Sequence, residues 1–302
     1  METKKGNILI TGATGMVGTA LSLKLQGLGY DVTSLSTTIS NHYKSIYKWN
    51  PAENSYEKFP TKDFHAIINL AGASIADTPW NFKKKKKIMD SRVKGTELLK
   101  KIITQNNLSV NHFITASAVG IYGFTGNAMV EENAQHGDDF AAQVCVAWEA
   151  AARQLQPVVN DLSILRIGIV MGKNGGFYKR ISDFAHYKMA VSLGDGKQTI
   201  PWIHLDDLLE VFVEIIEGRL KADVYNVVAE NSSNYELTKL IAKNKGQNFS
   251  WPGVPGFMLE MVMGKKAEIL LNGTPVSNQK IKQSGFKFKY QNVSEAIGSL
   301  AS

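Results

Sequence analysis

A doubly wound α/β fold, a parallel sheet with helices on both faces, is what three features of this sequence predict. Short apolar runs alternate with longer amphipathic segments through the first half. A glycine-rich turn joins the first run to the first helix, and beyond Glu230 the composition shifts, marking a second, smaller lobe.

In order, residues 7–11 read as the first strand, 14–27 as a helix and 31–35 as the second strand. Further strands are expected at 66–70, 112–115 and 163–167, with helices at 82–104 and 139–156 and a βαβ order throughout. The stretch 172–198 is rich in glycine and polar residues. Pro201-Trp202-Ile203-His204-Leu205-Asp206-Asp207 then introduces an amphipathic helix, which Asp206 or Asp207 is expected to cap by accepting from its orphan amides. A last strand is expected at 224–228 and a Met-rich helix at 258–271. This assigns 1–171 and 199–229 to the main domain, and 172–198 and 230–302 to the smaller lobe.

With 302 residues, 44% of them hydrophobic, the chain can bury a sizeable core. Its single cysteine, Cys145, excludes an intrachain disulfide, which fits a reducing compartment and makes the cytoplasm the default. The first apolar run, Ile8 to Ile10, is too short for a signal sequence, and no segment approaches the roughly 20 apolar residues of a membrane span. Neither secretion nor membrane insertion is expected. The formal charge is +7, with Lys83, Lys84, Lys85, Lys86 and Lys87 in one run. That run invites a nucleic-acid or anionic-membrane partner; the plainer alternative is the solvated start of the helix that continues through Ile88, Met89 and Val93. Without interleaved aromatics or a known reader motif, no nucleic acid and no membrane is the expected answer, and the excess charge can instead attract an anionic cofactor.

Thr11-Gly12-Ala13-Thr14-Gly15-Met16-Val17-Gly18 places glycines at i, i+3 and i+6 between the first strand and the first helix. Gly12 allows a tight turn with positive φ, Gly15 lets backbone approach a pyrophosphate, and Gly18 permits close packing of helix on sheet. The helix N-terminus adds free amides and a favourable dipole, so this context points to a dinucleotide. The end of the second strand discriminates cofactors, because a carboxylate there binds the ribose 2′-hydroxyl whereas hydroxyl or basic residues accommodate a 2′-phosphate. Here stand Ser36, Thr37 and Thr38, which favours NADP(H), with NAD(H) the alternative. If the lysine run is merely solvated, glutamines at 83–87 leave fold and nucleotide binding nearly unchanged.

The glycine turn, Asn69-Leu70-Ala71-Gly72, Ser117, Tyr122-Gly123, Leu165-Arg166, Pro201 to Asp207 and Tyr225-Asn226-Val227-Val228 together resemble the extended short-chain dehydrogenase/reductases, nearly end to end. More narrowly, the segments 69–76, Asp90-Ser91-Arg92, Ser117 to Gly123, Val144 to Glu149, Gly194 to Gln198 and Gly285 to Phe288 look like the atypical YfcH-like branch of the NAD-dependent epimerase/dehydratases. The resemblance implies a Rossmann-type doubly wound sheet with a smaller C-terminal substrate domain. It implies that Asn69, Leu70, Ala71 and Gly72 line the cofactor ribose, that Arg92 reaches it from the next helix, and that Ile169 presents backbone near the nicotinamide. Simpler readings make Ala71 and Gly72 a strand end and Arg92 a surface ion pair.

Ordinary short-chain reductases carry Tyr-x-x-x-Lys on the helix after the serine strand, the lysine lowering the tyrosine pKa. Aligned on Ser117, this chain has Cys145 and Glu149 at those positions. A glutamate raises a neighbouring thiol's pKa, so Cys145 reads as a buried helix residue and not a proton donor. The catalytic candidates are Ser117 with Tyr122 or Glu149, Tyr122 standing equally as an aromatic packed under the cofactor. His204 reads as a tie at the inter-domain turn, and the histidines lack metal-ligand spacing. The implied function is an NADP(H)-dependent oxidoreductase or sugar-nucleotide-epimerase-like enzyme acting on a small molecule. The alternative is a dinucleotide-sensing regulator that has lost turnover. Nothing in the residues selects the substrate, the oligomeric state or the direction of hydride transfer.

Overall fold

The computed structural model describes residues 5–38, 45–58, 63–75, 77, 79–173, 175–186 and 190–300. The chain opens with β1 (Asn7–Thr11), α1 (Met16–Gly27), β2 (Asp31–Ser36), β3 (Ile46–Asn50), β4 (Ser55–Tyr56) and β5 (Phe64–Asn69). It continues through α2 (Phe82–Gln105), β6 (Val110–Ala118), α3 (Phe140–Arg153), β7 (Asp161–Ile167) and β8 (Ile169–Gly172). Then follow α4 (Gly176–His186), β9 (Ala190–Leu193), β10 (Thr199–His204), α5 (Leu205–Ile216), β11 (Val224–Val227) and β12 (Glu230–Ser233). The last part holds α6 (Asn234–Asn244), β13 (Phe249–Val254), α7 (Gly256–Met263), α8 (Glu268–Leu271), α9 (Gln279–Gln283) and α10 (Val293–Ser299). No described helix is long and apolar enough to cross a membrane.

The main sheet has eight strands in the order β11-β7-β6-β5-β1-β2-β3-β4, parallel except where β4 pairs antiparallel with β3. That closing edge hairpin departs from the expected βαβ order. The chain runs outward from β1 through β2 and β3, then returns to the other side of β1 at β5. The order therefore reverses between β1 and β5, and a crevice opens at the carboxyl ends of those strands.

Successive residues of each central strand feed opposite cores. Ile8, Ile10, Ile68, Ile114 and Leu165 pack with α1 and α5, whereas Leu9, Ile67 and Phe113 pack with Leu98, Leu99, Ile102 and Ile103 of α2. Burial on both faces is why these strands read as continuous apolar runs. The C-terminal Phe286, Phe288, Ile297 and Leu300 belong to the same core as Ile8 and Ile10. Smaller sheets carry the rest: β12-β10-β8, and β13 paired with β9, which joins the 172–198 excursion to the C-terminal portion.

Two local expectations are corrected. The cap of α5 is His204, whose Nδ1 accepts from the Asp206 amide at 3.1 Å. Asp207 is engaged elsewhere, its carboxylate accepting from the Lys289 and Tyr290 amides at 2.7 and 3.0 Å. The Met-rich helix breaks at Gly264, which takes a left-handed φ of 59°, so that α7 and the short α8 are separated by a 3-10 turn.

The mouth of the crevice is pinned by Asn69. Its Oδ1 accepts from Thr11 Oγ1 at 2.8 Å, and its amide donates to Thr96 Oγ1 at 2.9 Å and Thr115 Oγ1 at 3.3 Å. One buried side chain thus ties β1, β5, β6 and α2. Thr96 and Thr115 also donate to the Arg92 and Ala116 carbonyls, so Asn69→Leu would leave the buried Thr11 hydroxyl without its acceptor and is expected to cost roughly 1–3 kcal/mol. An unchanged urea midpoint would show that Thr11 finds another partner.

Candidate functional site

The three glycines of the first turn do different work. Gly12 has φ +72°, and a Cβ there would lie 2.9 Å from the Leu70 carbonyl, so both conformation and space require glycine. A Cβ on Gly18 would lie 2.3 Å from the Gly12 oxygen; the close approach is of helix on its own turn, not of helix on sheet as the sequence suggested. Gly15 is different. Its φ of −79° and ψ of 169° suit any residue, and an added Cβ would meet only the Gly12 oxygen, at 3.4 Å. The protein itself places little demand for glycine at position 15.

Gly15 is also the N-cap of α1, and no side chain caps that helix or places an acid in its first turn. It opens onto a cavity of about 760 Å³ at the strand-order reversal. Of the cofactor residues expected from sequence, Gly12, Thr14, Gly15, Ser36, Thr37, Leu70, Ala71 and Gly72 line this cavity. Ala13 and Gly18 are buried beneath the turn. Val17 packs against the core, and Met16 turns toward Gly172 and Gly175, where its sulfur leaves no room for a Cβ. Asn69, expected against the ribose, is instead the buried tie described above. Ile169 is 38% exposed on β8 but is not among the cavity's lining residues.

Other lining residues escaped the sequence reading. Trp49, Asn50 and Pro51 come from the end of β3, a strand whose mixed polarity hid it, and Lys83, Lys86 and Lys87 come from α2. These three lysines are exposed beside the cavity, whereas Lys84 and Lys85 are half-buried.

Arg92 is held by carbonyls and not by a surface carboxylate. Its Nη1 donates to Ala73 O at 3.0 Å and Ile88 O at 3.2 Å, and the guanidinium lies 5.1 Å from the Trp148 ring centroid. A Cβ on Gly72 would fall 2.8 Å from Arg92 Cζ, so Gly72 is needed where the arginine passes behind the cavity floor. Burial lowers the Arg92 pKa, with Cys145 opposing the shift.

Ser117, Glu149 and Tyr122 do come together, around a residue given no role from sequence. Arg166 on β7 donates to Glu149 through Nε at 2.8 Å and Nη2 at 3.0 Å. Its Nη1 donates to Tyr122 Oη at 2.9 Å and to Glu132 O at 2.7 Å. Ser117 Oγ donates to Glu149 Oε1 at 2.8 Å, and the Tyr122 hydroxyl donates to Asn226 Oδ1 at 2.6 Å. Ser117, Tyr122, Glu149, Arg166 and Asn226 are all buried. Burial raises the Tyr122 pKa despite the neighbouring Arg166, so the phenol stays protonated. An arginine and an asparagine in otherwise apolar strands were the available signal.

Cys145 is buried in α3, and burial pushes its thiol from 9.0 to about 11, with Arg92 opposing and Glu149 adding to the rise. His204 ties β10 to α10: since Nδ1 accepts from a backbone amide, Nε2 carries the proton toward Ser299 Oγ, 3.2 Å away. Burial lowers its pKa, consistent with a neutral ring.

Residues 8–228 match the NAD dependent epimerase/dehydratase family, and residues 254–300 match a domain of unknown function, DUF1731. The chain belongs to the NAD-dependent epimerase/dehydratase family. It is 30% identical over 302 residues to the chloroplastic SDR39U1 homologue, an epimerase family protein of Arabidopsis thaliana, covering 97% of this chain and 86% of that protein. The human epimerase family protein SDR39U1, solved with NADPH, superposes with a TM-score of 0.87 at 27% identity, over 98% of this chain and 99% of that one. A nucleoside-diphosphate sugar epimerase from Corynebacterium glutamicum gives 0.75 at 25% identity, over 98% of this chain and 58% of its own.

The thiol assignment yields a pH test. Between 9.0 and about 11 the unfolded chain ionises Cys145 while the native chain does not, so this group's contribution to stability is full below 9.0 and lost as pH rises through about 11. Iodoacetamide at pH 8 should modify native Cys145 at least about 100-fold more slowly than the unfolded chain. Equal rates would contradict a buried neutral thiol.

Proposed function

We propose that this chain binds NADP(H) above its glycine turn and works as an oxidoreductase or sugar-nucleotide-epimerase-like enzyme on a small molecule. The observation that carries the nucleotide reading is Gly15, a glycine with little internal requirement at the mouth of a cavity of about 760 Å³. That volume lies within the roughly 300–1,000 Å³ of small-molecule sites. In this reading Gly12, Thr14 and Gly15 face the phosphates, Ser36 and Thr37 the adenosine ribose, and Leu70 to Gly72 the cavity floor, with Arg92 behind them and Ile169 backbone toward the nicotinamide.

Two hydroxyl residues and no carboxylate at the end of β2 favour the 2′-phosphate, and the NADPH bound by the human relative supports the same choice. NAD(H) is the competing nucleotide. A single cysteine held as a neutral thiol suits a reducing compartment, so the cytoplasm is part of the proposal.

A bound nicotinamide would supply hydride transfer. The chain's own contribution is then a proton relay. Ser117 Oγ donates to Glu149 Oε1, and in this reading it takes a substrate hydroxyl's proton while its own passes to the carboxylate. Tyr122, whose hydroxyl is committed to Asn226 while accepting from Arg166, orients the centre. A second reading, a dinucleotide-sensing protein without turnover, is favoured by the closure of that network: every polar group in it already has an internal partner.

Calorimetric titration should give tighter binding of NADPH than of NADH, and equal affinities would remove the 2′-phosphate argument. Once a substrate is in hand, Ser117→Ala should lower kcat by about 10²-fold or more, with Cys145→Ala nearly silent. Turnover indifferent to Ser117→Ala would remove the relay, and tight NADPH binding with no turnover across a metabolite panel would favour the sensor.

A further inference from the structure

Five consecutive lysines on a helix cannot all face one way. At 3.6 residues per turn, positions 83, 86, 87, 90 and 91 share a face, and in α2 these residues, Lys83, Lys86, Lys87, Asp90 and Ser91, are the ones that line the cavity. Lys84 and Lys85 turn away, Lys84 to Asp77 at 2.5 Å and Lys85 to the Phe140 ring, 4.9 Å from its centroid.

The charges on the cavity face do not cancel. Among the described residues Asp90 is the one acidic residue lining the cavity, and it is held by Lys86 at 2.9 Å and Lys94 at 3.1 Å. Those bonds, first the one from Lys86, lower its pKa against the effect of burial. Lys83 and Lys87 make no ion pair among the described residues, and their two ammonium groups leave this wall with excess positive charge. The wall belongs to the same cavity as Ser36 and Thr37, where a 2′-phosphate lacks any basic partner from β2.

We infer that Lys83 and Lys87 form the cationic half of a 2′-phosphate site, supplied from α2 to the cavity that the hydroxyls at the end of β2 also line. The assignment rests on the nucleotide reading above and extends it to the residues that set the choice between NADPH and NADH. Flexible ammonium stems suit this role, since each delivers a point charge to a phosphate without requiring a fixed fork geometry. The same two charges would make NADPH binding the more salt-sensitive of the two.

The test compares single charge removals within one run, by calorimetric titration of purified protein with NADPH and with NADH. Lys83→Gln and Lys87→Gln should each weaken NADPH several-fold, and together by about tenfold or more, as expected for losing charge-assisted bonds. NADH should change by less than about twofold, and Lys85→Gln should leave both nucleotides within the same limit. An equal loss for both nucleotides would overturn the assignment by placing the lysines on the pyrophosphate. An equal loss in Lys85→Gln would reduce the effect to the general field of the run and overturn it too. Failure of the unaltered protein to bind either nucleotide would instead sink the underlying nucleotide reading, and this assignment with it.

Discussion

The Gly12 carbonyl is the fixed point on which the nucleotide end of the molecule is built. It accepts from the Gly15 amide at 3.0 Å, and it lies where a side chain on Gly18 would have to stand. The turn between β1 and α1 is thereby folded against its own helix. Asn69, through Thr11, holds the neighbouring end of β5 in register with it, and Thr11 Oγ1 also accepts from the Ala71 amide at 3.2 Å. The crevice at the strand-order reversal is thus a consequence of close backbone packing secured by a few buried hydrogen bonds. Within it, Gly15 is the position left bare.

The second centre obeys a different constraint. A buried carboxylate must be paired, and Glu149 is paired twice by Arg166 and once by Ser117. The acid stands on α3 and its bidentate partner, Arg166, on β7. Burial raises the pKa of both Tyr122 and Cys145, which disfavours their anionic forms beside this pair. The pairing preserves a packed, satisfied interior and narrows the chemistry available to it.

How much was legible in the sequence follows the same physics. Strands buried on both faces, β1, β5, β6 and β7, announce themselves as unbroken apolar runs, and the Gly12, Gly15, Gly18 spacing announces the turn. The edge strand β3 alternates too weakly to stand out, so the wall formed by Trp49, Asn50 and Pro51 was invisible. Helical spacing separates Lys83 and Lys87 from Lys85, but which face meets a cavity depends on docking against other strands. Asp207 looked like a cap because its chemistry suits one; its commitment to amides at 289 and 290 is a contact that no local pattern records. The Glu149–Arg166 pair likewise joins an acid and a base from separate elements, and no local pattern records that they meet.

On the nucleotide reading, position 15 is glycine for a ligand's sake. Because an alanine Cβ there would make only one ordinary contact, at 3.4 Å to the Gly12 oxygen, Gly15→Ala isolates that demand from folding. Thermal unfolding of the ligand-free protein and calorimetric titration with NADPH should be measured on the same preparation. The melting temperature should stay close to that of the unaltered protein, while NADPH affinity weakens by about tenfold or more as the methyl group stands between backbone and phosphate. Undiminished NADPH affinity in a folded Gly15→Ala protein would contradict that reading.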